Sequence, residues 1–165
     1  ESIEQLEQTV DCSPVELTVR KANGAAIAAK PNINGPLTKI LIADDNKTNR
    51  LLVQKMLKTT DLEIILAQDG SEAVQQFIVH KPKIVLMDIS MPKLTGIEAT
   101  REIRSFEAQN GLLACPIIAL TANAMKGDRE IYLENGMDDY LSKPVRKGDL
   151  TDVIAHWSQS RRDAG

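Results

Sequence analysis

Between residues 37 and 158, short apolar runs alternate with stretches whose apolar positions recur every three or four residues. Lys39–Ala43 (KILIA) predicts a first strand, which ends at Asp44-Asp45. Behind it Asn46 has the chemistry of a helix cap, and Leu51, Leu52, Val53, Met56 and Leu57 supply the apolar stripe of a first helix. Leu62–Ala67 predicts a second strand. Gly70–His80 predicts a second helix, carried by Ala73, Val74, Phe77 and Ile78 and stopped by Pro82. Ile84–Met87 is a third apolar strand that ends at Asp88, and a third helix runs from Thr95 to Ala108 with Ile97, Ile103 and Phe106 inward. Pro116–Leu120 (PIIAL) predicts a fourth strand ending at Thr121. The weakly amphipathic Asn123–Glu134 predicts a fourth helix, and Asp139–Ser142 a short fifth strand ending at Lys143. Leu150, Val153, Ile154 and Trp157 fall at i, i+3, i+4 and i+7, the signature of a last helix.

Five strands alternating with five helices predict an α/β fold, a doubly wound parallel sheet with helices on both faces. Ligands of such sheets sit outside the carboxyl ends of the strands. That rule turns scattered residues into one site: Asp44 and Asp45 follow strand one, Asp88 strand three, Thr121 strand four and Lys143 strand five.

Residues 1–36 break this pattern. Ile3, Leu6 and Val10 have helical spacing, Val15, Leu17 and Val19 alternate, and residues 22–36 (ANGAAIAAKPNINGP) are small residues, Gly and Pro without amphipathic period. The expected division is a linker with a remnant of a preceding module over 1–36, a folded domain over 37–158, and a tail over 159–165. The first residue is Glu1 rather than Met, which suggests a piece of something longer.

Composition narrows the function classes. With 42% hydrophobic but only 3% aromatic residues, the core must be built from aliphatic side chains. A net charge of −3 with mixed signs leaves no electrostatic footprint for nucleic acid. Cys12 and Cys115 have no metal-ligand spacing, which points to a reduced, cytoplasmic setting, and no apolar run approaches the roughly 20 residues that span a bilayer.

Three carboxylates, a hydroxyl and an ammonium at one strand-end edge form a phosphoryl-transfer kit. Crowded carboxylates repel one another, and a hard dication such as Mg²⁺, which prefers oxygen ligands, relieves the strain. One carboxylate can then attack phosphorus, while a hydroxyl and an ammonium neutralise the equatorial oxygens.

The segments ILIADDNKTNR, IVLMDISMPKLTGIEATREIR, PIIALTANAM and GMDDYLSKPV resemble the receiver domain of two-component response regulators and hybrid histidine kinases over about residues 38–158. The resemblance implies the flavodoxin-like strand order 2-1-3-4-5. It also implies Asp88, before MP-x-x-x-G, as the phosphoacceptor. Asp44 and Asp45 become Mg²⁺ ligands, Asp45 the more direct one, joined by Asp88 and by the backbone carbonyl of Ser90. Thr121 and Lys143 complete the catalytic set, with a cis bond at Lys143-Pro144. Tyr140, three before Lys143, is implied as a switch rotamer on a face of helix four, strand five and helix five. Many relatives carry Asn where Ser90 stands, so Ser90 and Asn123 are the positions that tune dephosphorylation. The implied partner is a histidine kinase dimerisation and phosphotransfer domain or a histidine phosphotransfer protein, with homodimerisation left open. The parent protein is then a hybrid kinase with this receiver at its carboxyl end, and any kinase activity belongs to a part not in this chain.

Some residues carry blander expectations. His80 and His156 read as surface residues, Asp138 and Asp139 as solvated turn acids, and Met87, Met91 and Met125 as packing. Competing functions are a stand-alone single-domain regulator, a binding-only pseudo-receiver, and a haloacid-dehalogenase-like phosphatase. The last would need its nucleophile in a D-x-D motif after strand one, where this chain has Asp44-Asp45-Asn46.

Overall fold

A computed structural model of the chain describes residues 38–58 and 60–160. The strand and helix spacing noted in residues 1–36, and most of the expected tail, lie outside the described residues. The strands are β1 (Thr38–Ala43), β2 (Leu62–Ala67), β3 (Ile84–Asp88), β4 (Ile117–Thr121) and β5 (Asp139–Ser142). The helices are α1 (Lys47–Leu57), α2 (Gly70–His80), α3 (Gly96–Gln109), α4 (Lys126–Glu134) and α5 (Lys147–Ser160). All neighbouring strands pair in parallel, in the order β2-β1-β3-β4-β5.

Parallel strands covered on both faces should read as unbroken apolar runs rather than alternating ones. Every residue of β3 and β4 is buried accordingly. Successive side chains point to opposite faces, so the sheet divides two cores. Leu41, Val85, Met87, Ile117 and Ala119 pack with Ala73, Val74 and Phe77 of α2, Ala99 and Ile103 of α3, and Tyr132 of α4. Ile40, Ile42, Ile84, Leu86, Ile118 and Leu120 pack with Val53 and Leu57 of α1 and Leu150 and Ile154 of α5. Aromatic residues are few, and Phe77 meets Phe106 edge to face at 6.4 Å.

Helix starts follow capping chemistry. Asn46 accepts from the Thr48 N–H, Asp69 from Glu72, and Thr95 with Glu98 forms a reciprocal capping box. α4 has no side-chain cap. It begins at Lys126, three residues later than the periodicity predicts, because Thr121 and Asn123 bond to one another in a turn instead. α5 continues to Ser160, past the expected boundary at 158.

Four apolar expectations need correction. Leu51 and Leu52 are exposed, since three consecutive helical residues cannot share one face and Val53 with Leu57 takes the inward one. Ile78 and Met125 are also exposed, whereas Met87 and Met91 are buried as packing residues. Asp138 and Asp139 are not simply solvated. Asp139 accepts from the Trp157 indole, and Asp138 belongs to a polar cluster at the amino-terminal end of β4. There Arg104 donates to the Gly136 carbonyl (2.9 Å), the Cys115 carbonyl (2.8 Å), Glu107 (2.7 Å) and Asp138 (2.8 Å). Glu107, buried, also accepts from the Cys115 N–H at 2.6 Å, and Asp138 from the Ile117 N–H at 2.8 Å.

Candidate functional site

The β1–β3 pairing sets Ala43 beside Met87, so the residues that follow, Asp44 and Asp88, leave the sheet side by side. Asp45 stands next to them, and one oxygen from each of the three carboxylates lies within 4.8 Å of the others. Asp44 and Asp88 are buried, Asp88 being 3% exposed, while Asp45 is exposed at the rim. Lys143, carried by the end of β5, reaches across the site. Its Nζ lies 2.9 Å from Asp44 Oδ2 and 3.0 Å from Asp88 Oδ1. The Lys143-Pro144 bond is cis, as expected.

The acids are held by their own loops. Asp44 Oδ1 accepts from the Asn46 N–H at 2.8 Å, and both its oxygens lie 3.3 Å from Asn49 Nδ2. Arg50 donates to the main-chain carbonyls of Asp44 (2.5 Å) and Asp45 (3.1 Å), fastening the first turn of α1 over the strand end. Asp88 Oδ1 accepts from the Ser90 N–H at 3.2 Å, while the Ser90 side chain is exposed. Behind Asp88, Gly96 opens α3, and a Cβ there would overlap the Asp88 carbonyl. The close approach of helix and strand thus demands glycine.

Burial pushes the Asp88 carboxyl above the ordinary range; the Lys143 ammonium and the Ser90 N–H oppose this, and the Asp44 charge adds to it. Burial would by itself lower the Lys143 ammonium, but Asp44 and Asp88 outweigh it and raise its pKa. Three carboxylates against one ammonium leave two formal negative charges, the complement of a divalent cation. A Mg²⁺ ion takes oxygen ligands at about 2.1 Å in octahedral array, which sets ligand oxygens roughly 3–4 Å apart. The three acids lie close enough together, within 4.8 Å, to hold such an ion.

Thr121, at the end of β4, is buried and turned toward its own loop. Its Oγ1 donates to the Asn123 carbonyl (2.9 Å), accepts from the Asn123 N–H (3.1 Å), and lies 2.9 Å from the Tyr132 hydroxyl. The Asn123 side chain is exposed. Tyr140 is half-buried against the α2–α3–α4 core. The expected residues therefore gather at the carboxyl edge of the sheet, with Lys143 bridging Asp44 and Asp88, Asp45 beside them, Thr121 at the end of β4, and Ser90 and Asn123 in the adjoining loops. Asn49, Arg50 and Tyr132 were not foreseen. Asn49 and Arg50 follow the acidic pair by one helical turn, a signal available in hindsight from the spacing alone.

The fold and this edge define a phosphoacceptor class. A sequence model of the response regulator receiver domain matches residues 40–155, and the chain belongs to that family. The match sets aside the dehalogenase alternative. Among its relatives, hybrid signal transduction histidine kinase I of Dictyostelium discoideum is 45% identical over 121 residues, 70% of this chain but 7% of that protein. The chain thus spans a small part of the length of such curated relatives. The receiver domain of sensor histidine kinase PA1611 from Pseudomonas aeruginosa, solved with a magnesium ion coordinated in its active site cleft, is 39% identical. It aligns with a TM-score of 0.66 over 74% of this chain and 98% of that one. A chain in the co-crystal of the Saccharomyces cerevisiae histidine phosphotransfer protein Ypd1 with the receiver domain of Ssk1 is 35% identical, with a TM-score of 0.71. The match covers 74% of this chain and 89% of that one. No helix among the described residues is long and apolar enough to cross a membrane.

Proposed function

We propose that this chain is the receiver of a hybrid histidine kinase, accepting a phosphoryl group from a phosphohistidine onto Asp88. The observation that carries the reading is a buried carboxylate at the end of the central strand, spanned to Asp44 by one lysine at 2.9 and 3.0 Å. An Asp88 oxygen attacks phosphorus, the bond from phosphorus to the imidazole nitrogen breaks, and the electron pair returns to the departing histidine. Lys143 neutralises the incoming oxygens, and Thr121 donates its hydroxyl once it leaves Asn123. Asp44, Asp45, Asp88 and the Ser90 carbonyl would hold Mg²⁺, which supplies charge neutralisation at the transferring phosphoryl group. Ser90 and Asn123 border the modified carboxylate and tune its hydrolysis.

The output is a change of surface. Drawing Thr121 inward moves the 122–126 loop and opens space beside Tyr140, whose ring then turns inward and reshapes α4, β5 and α5. The donor or acceptor is a kinase phosphotransfer domain or a histidine phosphotransfer protein, supported by the likeness to the Ypd1–Ssk1 co-crystal. Residues 37–158 form the receiver, 1–36 its linker and 159–165 a tail, and the domain works in the cytoplasm. Incubation with Mg²⁺ and acetyl phosphate, followed by intact-mass measurement, should show a gain of one phosphoryl group. Asp88→Asn should abolish it; an unchanged rate in that variant means the acceptor is another residue.

A further inference from the structure

Tyr132 is the single buried residue of α4 among its described side chains, 7% exposed, with Ile131 and Leu133 exposed on either side. Its hydroxyl meets Thr121 Oγ1 at 2.9 Å. A threonine hydroxyl has one proton and two acceptor positions. With that proton on the Asn123 carbonyl, the Tyr132 hydroxyl is the donor of the pair, and the Asn123 N–H fills the remaining acceptor position. Thr121 is therefore fully engaged away from Asp88.

We propose that Tyr132 is a positioning residue that holds Thr121 in the arrangement of the unmodified protein and makes the position of α4 depend on where Thr121 points. This rests on the reading of Thr121 as a donor to the phosphoryl group. Moving Oγ1 toward Asp88 takes the Tyr132 bond with it. A buried hydroxyl cannot be left without a partner cheaply, so Tyr132 must either follow or find another acceptor. In both cases the one anchor of α4 in the core shifts. α4 also has Met125 at its N-cap with no side-chain cap bond, so little else at its amino end resists the shift.

Binding of beryllofluoride with Mg²⁺, which imitates a phosphoryl group on a carboxylate, tests this on the whole chain with four proteins: wild type, Tyr132→Phe, Thr121→Ala and the double variant. Tyr132→Phe keeps the ring and removes only the hydroxyl. It should bind the probe about fivefold more tightly, the worth of one intramolecular hydrogen bond, while the free protein unfolds at a lower temperature. In the Thr121→Ala background the same substitution should leave affinity unchanged. A packing role alone would lower stability without tightening binding. The proposal is overturned if Tyr132→Phe binds equally or more weakly, or if it shifts affinity alike in both backgrounds. Failure of the underlying reading looks different: Thr121→Ala would then bind the probe as tightly as wild type.

Discussion

Arg104 offers the sharpest test of what holds the far end of the domain. Arg104→Ala removes donors to the Gly136 and Cys115 carbonyls, to Glu107 and to Asp138. Glu107 is only 3% exposed, so the substitution strands a buried carboxylate. Breaking a buried pair from one side costs about 3–5 kcal/mol. The Cys115 N–H stays on Glu107 at 2.6 Å and offsets part of this, which places the loss near the lower figure, about 3 kcal/mol. Glu107→Gln keeps an acceptor for Cys115 and should cost less, about 1–2 kcal/mol. Glu107→Ala strands both the Cys115 N–H and one side of the guanidinium, and should approach Arg104→Ala. Urea unfolding at unchanged m measures all three through the midpoint. For a domain of this size about 3 kcal/mol corresponds to roughly 10 °C in Tm. A loss below about 1 kcal/mol for Arg104→Ala, or Gln as costly as Ala at 107, refutes the reasoning.

Three further outcomes follow from the geometry. Asp45→Ala should weaken Mg²⁺ binding about tenfold or more in a titration and slow phosphorylation, while raising the Tm of the metal-free protein by relieving like-charge crowding. Gly96→Ala places a Cβ against the Asp88 carbonyl, so it should destabilise the fold by about 2–3 kcal/mol and slow the mass gain from acetyl phosphate. Asp69, the cap of α2, is held below the ordinary carboxylate range by Lys93 at 2.6 Å and by the Glu72 N–H. A depressed carboxyl stabilises above its unfolded value and loses that contribution as pH falls toward its folded value. The stability gap between wild type and Asp69→Asn should therefore be present at pH 7 and shrink on acidification below about pH 4; a constant gap across that range contradicts the assignment.

The strands and the acidic edge were legible because two independent signals coincided. Apolar runs such as IVLM mark a buried parallel strand, and four of the five runs, all but Leu62–Ala67, stop at a residue with chemistry, so the strand-end rule alone assembles Asp44, Asp88, Thr121 and Lys143. Helix faces were less legible. Leu51, Leu52 and Val53 are adjacent and equally apolar, and only the packing of α1 against the sheet decides that Val53 turns inward. The Arg104 cluster joins residues up to 34 positions apart, and no spacing rule reaches from α3 to Asp138. Tyr132 was hidden for the opposite reason. α4 has so little apolar pattern that Tyr132, its one buried side chain among those described, does not stand out.

Ser90 and Asn123 occupy matching places. Each gives its backbone N–H to a site side chain, Ser90 to Asp88 and Asn123 to Thr121, and each leaves its own side chain in solvent. Both side chains face solvent, whereas Asp88 itself is only 3% exposed. On the proposed function, the lifetime of a phosphoryl group on Asp88 would be set by two side chains that contribute nothing to either core. On that reading, natural variation or engineering would lengthen or shorten the signal there while the main-chain hydrogen bonds, the acids and the packing stay as they are.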